Sequence, residues 1–131
     1  MQNNLVFKSV TWFLLPYILS FVFYIQINGE ISPGGGFQAG TIFACAFIMF
    51  DLCFNKPIKI LELLRIASSG IMLYILPGLY SLLNGMNFLN YYAINSGLIG
   101  QKIGIFIVEL GVGITVSSSL TLIYLLLWKE D

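Results

Sequence analysis

The stretch IGIFIVELGVGITVSSSLTLIYLLLW, residues 103–128, decides the fold. It holds one charge, Glu109, and as a helix it rises roughly 39 Å. About 20 apolar residues cross a hydrocarbon core of about 30 Å. Residues 6–27, 37–54 and 61–83 are apolar runs of the same kind. They are continuous rather than alternating, which implies helices and not barrel strands. The expectation is an all-α integral membrane protein, a single domain of four transmembrane helices. A short Gly-rich connection joins the first two.

Composition agrees. The chain has 131 residues, of which 58% are hydrophobic and only 9% charged, against about 25% charged in a soluble domain. Mean hydropathy is +0.90. Zero net charge excludes an electrostatic footprint for nucleic acid. With no histidine, the commonest general base and metal ligand is missing, so neither a catalytic centre nor a metal site is expected. Cys45 and Cys53 lie in one helical run about 12 Å apart, beyond the roughly 7 Å a disulfide allows. They read as small apolar helix residues.

A cleavable signal competes for the first run. Lys8 precedes it, but the run is too long and no small-x-small cleavage pattern follows. Positive charge sets the orientation. Lys8, Lys56, Lys59, Arg65 and Lys129 gather at the termini and the middle connection; the other two connections hold only Lys102. Both termini are therefore expected in the cytoplasm of a multi-pass cell-membrane protein. Trp12, Trp128, Tyr24, Tyr80, Phe88, Tyr91 and Tyr92 fall at the interfaces, where amphipathic rings anchor. Pro16 and Pro77 each remove a helix hydrogen bond and are expected to kink their spans. Pro16 with Ser20 and Pro77 with Ser81 hint at a parallel two-helix repeat, unlike the inverted repeats common in secondary transporters.

Two features stand out for chemistry. Pro33-Gly34-Gly35-Gly36-Phe37-Gln38-Ala39-Gly40 forms the outer connection and opens the second helix. It reads either as a turn for close helix packing or as a contact for a partner subunit or an ion path, with free helix N–H groups at its end. Glu109 lies roughly 9 Å inside the fourth span, where an acid costs about 2.5–3.5 kcal/mol. No Lys or Arg lies in the outer half of any other span, and Lys102 is two turns away. Glu109 is therefore expected to be protonated or paired across a subunit boundary. It serves either a proton or cation relay or a structural hydrogen bond. Asp51, near Lys56, reads as a snorkelling or capping group before an ion-path residue, and Glu62 with Arg65 as an interfacial pair. Gly104, Gly111 and Ser118 share one face of the last helix, and Glu109 and Gly113 the other. Protein contact on both faces argues for a larger assembly.

The segment from Gly29 to Gly40 resembles the hallmark of the MnhB/MrpB family, membrane subunits of Mrp-type multisubunit Na⁺/H⁺ antiporters. That hallmark is Gly-His-x-x-Pro-Gly-Gly-Gly-Phe followed by a small residue and Gly. Val108-Glu109-Leu110-Gly111-Val112 resembles that family's last-helix pattern. The resemblance covers almost the whole chain. Glu30 stands where the family often has His, so no imidazole role carries over. The resemblance implies an accessory membrane subunit without a cofactor, packed beside large subunits related to respiratory complex I. It would support assembly and line part of an ion path for Na⁺ or H⁺. Glu109, Lys102 and Asp51 are the ion-path candidates; Pro33, Gly34, Gly35, Gly36, Phe37, Gly40 and Gly111 are candidates for subunit contact. The alternatives are a membrane subunit of a hydrogenase-type ion-pumping complex and a stand-alone homodimeric exporter. Such exporters carry their essential acid in the first helix, where this chain has none.

Overall fold

A computed structural model describes residues 4–29, 31, 34–55 and 58–129. Four long helices carry the chain: α1 Leu5–Asn28, α2 Gly36–Phe54, α3 Ile60–Leu83 and α4 Leu98–Lys129. A single 3₁₀ turn, Tyr91–Ala93, lies between α3 and α4. All four are long and apolar enough to cross a membrane, which makes this a multi-pass membrane protein. The last helix begins at Leu98 rather than Ile103, so Lys102 lies within its opening turns.

Helix ends follow from local chemistry. The Asn4 side chain accepts from the Val6 N–H at 3.2 Å and starts α1. At the end of α2, Asn55 turns left-handed at φ 45° and donates its N–H to the Asp51 carbonyl at 2.7 Å. Pro16 and Pro77 lie inside unbroken helices. The hydroxyls of Ser20 and Ser81 donate to the Pro16 and Pro77 carbonyls, each at 2.8 Å. Ser81 also lies 2.8 Å from the Asn90 carbonyl and so ties the long connection to α3.

The helices stand in a row, α1–α2–α4–α3. Among the described residues α4 packs along both α2 and α3, and α1 packs along α2. Helices α2 and α4 run parallel: Gly36 meets Glu109, Gly40 meets Gly113 and Asp51 meets Tyr124, each pair 73 residues apart. Helices α3 and α4 run antiparallel, with Gly70 against Gly111 and Thr115 Oγ1 donating to the Ala67 carbonyl at 3.4 Å. Small residues allow these approaches: a Cβ on Gly70 would lie 2.7 Å from the Gly111 carbonyl oxygen.

The sequence expectation of protein contact on both faces of α4 holds, but its two faces do not by themselves require other subunits. The chain itself supplies that contact, α3 on the Gly111 face and α2 on the Gly113 face. The long connection folds over the same end, setting the Phe88 ring on Gly78 and the Tyr91 ring on Gly104. Burial, and then the nearby Tyr74 phenol, raises the Tyr91 phenol above its usual value, which suits a ring that closes a helix seam.

Candidate functional site: a carboxylate on a glycine seat

Glycine shapes the start of α2. Gly35 has φ +95°, a region L side chains rarely adopt, and both Gly35 and Gly36 are buried. A Cβ on Gly35 would lie 2.9 Å from Glu109 Oε1, and one on Gly29 2.5 Å from Oε2. A Cβ on Gly36 would fall on the backbone carbonyl of Glu109. The carboxylate thus sits in a notch between the end of α1 and the start of α2, and any side chain at these positions would fill it.

The notch is also electrostatic. The N-cap residue of α2, Gly35, has no side chain with which to cap the helix, and the first N–H groups of a helix lack intrahelical partners. The N-terminal end of a helix carries partial positive charge, worth about 0.3–1 kcal/mol to a nearby anion. Glu109 brings its carboxylate to that end from a different helix. The sequence points to protonation or to pairing across a subunit boundary; within the chain, Gly29, Gly35 and Gly36 seat the carboxylate.

Around the notch, Gln26 of α1 is 8% exposed and its Oε1 lies 3.1 Å from where a Gly113 Cβ would stand. Its Nε2 meets no acceptor among the described residues. Gly40 packs on Gly113, and Gly111 lies on the opposite face of α4, against Gly70 and Tyr74. Gly34 is exposed, and Phe37 turns outward at 64% exposure. Lys102 is exposed above the notch. Glu30 and Pro33 lie outside the described residues.

Asp51 departs from its expected role. It is not a snorkelling group but 4% exposed, with Oδ2 accepting from the Tyr124 hydroxyl of α4 at 3.3 Å. Oδ1 has no partner among the described residues. Lys56, its expected neighbour, lies outside those residues. Glu62 pairs with Lys59 at 3.8 Å rather than with Arg65. Sequence reasoning misses Gln26 and Tyr124. The signal for Gln26 is a lone amide closing an apolar run; Tyr124 reads only as part of an apolar span end. No three His, Cys, Asp or Glu gather as metal ligands among the described residues.

The sequence that builds this site has relatives. Residues 6–122 match the family described as "Domain related to MnhB subunit of Na+/H+ antiporter". Proteins named "Putative antiporter subunit mnhB2" from Staphylococcus aureus strains Newman, COL and USA300 are each 42% identical to this chain over 65 residues. That stretch is 50% of this chain and 45% of each relative, so the match spans about half the length of those proteins. The family is one of transporter subunits rather than enzymes. With the family match running almost from end to end and Glu109 lodged on its glycine string, the chain belongs to the MnhB family of Na⁺/H⁺ antiporter subunits.

Proposed function

We propose that this chain is the MnhB-type component of a multisubunit monovalent cation/proton antiporter of the cell membrane. It supports assembly with the other membrane subunits and contributes Glu109 to an ion path. The observation that carries this reading is the Glu109 carboxylate on the α2 N-terminus, held by Gly29, Gly35 and Gly36. An acid within a span is a functional-site candidate by default, and glycine on three sides brings the backbone as close as it can come.

The orientation follows from charge. Lys8, Lys59, Arg65 and Lys129 lie at one end of the helices and Lys102 at the other. Positive residues stay inside, which puts both termini in the cytoplasm and the glycine notch on the outer side. Exchange of H⁺ for Na⁺ belongs to the assembled complex, not to this chain alone.

The test is Na⁺-dependent proton movement in vesicles carrying the full set of subunits, with Glu109→Gln and Glu109→Ala. Removal of a proton-relay group is expected to slow exchange on the order of a hundredfold while the subunits still co-purify. Wild-type exchange in both variants, with assembly intact, would remove Glu109 from the mechanism. Purified chain that exchanges ions without partners would overturn the accessory role.

A further inference from the structure

The end of the α2–α4 seam opposite the glycine notch holds a second buried carboxylate. Asp51 is 4% exposed and lies one turn before the end of α2. Its Oδ2 accepts from the Tyr124 hydroxyl of α4, and its Oδ1 meets no partner among the described residues. Thr11 of α1 is fully buried, and its Oγ1 is likewise unmet among those residues. The other buried hydroxyls, Ser81, Ser118 and Thr121, each donate to a carbonyl of their own helix. Of these four, Thr11 alone does not.

The two unmet oxygens share a depth. Helices α1 and α2 run antiparallel: Val22 and Ala39 cluster toward the notch, and at the other end the Trp12 ring lies 6.2 Å from the Phe54 ring. The rise from Val22 to Thr11 along α1 equals that from Ala39 to Phe50 along α2, and Asp51 is the next residue. Helix α1 packs along α2 and far less on α4. It is therefore α2 that covers Thr11, and α1 that faces the unmet side of Asp51. Asp51 stands between Tyr124 on one side and Thr11 on the other.

We propose that Asp51 carries a proton for the complex, with Thr11 as the hydroxyl that positions it. A hydroxyl both donates and accepts. With Asp51 ionised, Tyr124 and Thr11 donate to its two oxygens. With a proton on Oδ1, that O–H donates to Thr11 Oγ1. The Thr11 proton then turns to a carbonyl of α1, the bond that Ser9 and Ser20 make in the same helix. Neither state leaves a buried donor or acceptor unmet. A turn of the Thr11 side chain, or one water, joins the two oxygens. The proton comes from water at the nearby end of α2, where Asn55 is exposed, and no other bond forms or breaks. The other titratable groups around Asp51 are Lys8, one turn from Thr11 on α1, and Cys53 on α2 itself; α3, which opens with the Lys59–Glu62 pair, lies across α4. A metal cation needs more oxygen ligands than this pair offers.

This reading rests on the chain's place in an ion path but not on Glu109, and its test separates the two. The assembled complex in vesicles carries Asp51→Asn, Thr11→Val or Thr11→Ser. Each is read for Na⁺-dependent proton movement over a series of pH values and for co-purification of the subunits. Asp51→Asn keeps the size of the side chain but has no acid proton to exchange, and is expected to slow exchange at least about tenfold. Thr11→Val keeps the shape without the hydroxyl. It is expected to slow exchange and displace its pH profile, and Thr11→Ser to restore both. Infrared difference spectra of the complex between low and high pH give a second readout. Asp51→Asn should remove a carboxyl C=O band that Thr11→Val shifts through the lost hydrogen bond. Wild-type exchange in Asp51→Asn with assembly intact overturns the proposal and leaves the Glu109 reading standing. If Asp51→Asn does not assemble, Thr11→Val decides: an unmoved pH profile and unmoved carboxyl bands overturn it, since Thr11 then only packs. Slow exchange in Asp51→Asn beside wild-type exchange in Glu109→Gln removes Glu109 from the path and keeps Asp51 in it.

Discussion

Gly36 and Gly113 face each other across the seam between α2 and α4, yet they should respond differently to one added methyl group. A Cβ on Gly36 meets the rigid backbone carbonyl of Glu109, whereas one on Gly113 lies 3.1 Å from the flexible end of Gln26 and 3.2 Å from the Gly36 carbonyl. Gly36→Ala is therefore expected to cost about 1–3 kcal/mol through forced separation of the helices. Gly113→Ala should cost clearly less. Thermal unfolding of the two variants in the same detergent reads the difference, and equal losses would mean that the Glu109 backbone yields. The three glycines announce a close approach in the sequence, and Glu109 announces an unusual acid. That the two meet is not legible there, because 73 residues separate Gly36 from Glu109 and no local pattern encodes that register. Asp51 misleads for a related reason. Its neighbour in sequence, Lys56, suggests an interfacial role, while its hydrogen-bond partner, Tyr124, comes from another helix.

At the scale of helices, α2 and α4 are pinned at both ends by a carboxylate. Glu109 reaches from α4 to the start of α2, and Asp51 reaches from near the end of α2 to Tyr124. Removing the Tyr124 hydroxyl takes away the one donor that Asp51 meets among the described residues. Tyr124→Phe is expected to destabilise by about 1–3 kcal/mol. The double variant Tyr124→Phe with Asp51→Leu should recover part of that loss, since replacing both partners by apolar groups removes the unmet polar demand. Denaturant unfolding as a double-mutant cycle measures it, and strict additivity would show that the pair contributes nothing. Run length and apolarity alone indicate four helices with nearly these bounds. Their order in space is less accessible, and the echo of Pro16 and Ser20 in Pro77 and Ser81 only hints at it, since Ser9, Thr41 and Ser68 make the same bond one turn back. Both serines make the same bond to the proline carbonyl. The row α1–α2–α4–α3, with α1 and α3 flanking the central α2–α4 pair, is the arrangement a parallel two-helix repeat would take.

For the whole molecule, a row of four helices covers little of itself. Trp12, Phe13, Tyr17, Met72, Leu83 and Leu127 all stand more than half exposed, and only lipid or the apolar helices of other subunits can cover such a surface. Within that setting the proposed orientation carries a sharp consequence. If the positive residues at the Lys8, Lys59 and Arg65 end hold that end inside, as proposed, Asn87 in the long connection should face outward and Asn55 at the end of α2 inward. Both are exposed, which makes each a fair site for a reporter cysteine in a background without Cys45 and Cys53. A membrane-impermeant maleimide on intact cells is expected to label Asn87→Cys and to spare Asn55→Cys until the membrane is opened. The reverse pattern would place the glycine notch on the cytoplasmic side, and Glu109 would then meet ions from the opposite compartment. Labelling of both in intact cells would mean that the chain does not hold one orientation, and would sink the charge argument altogether.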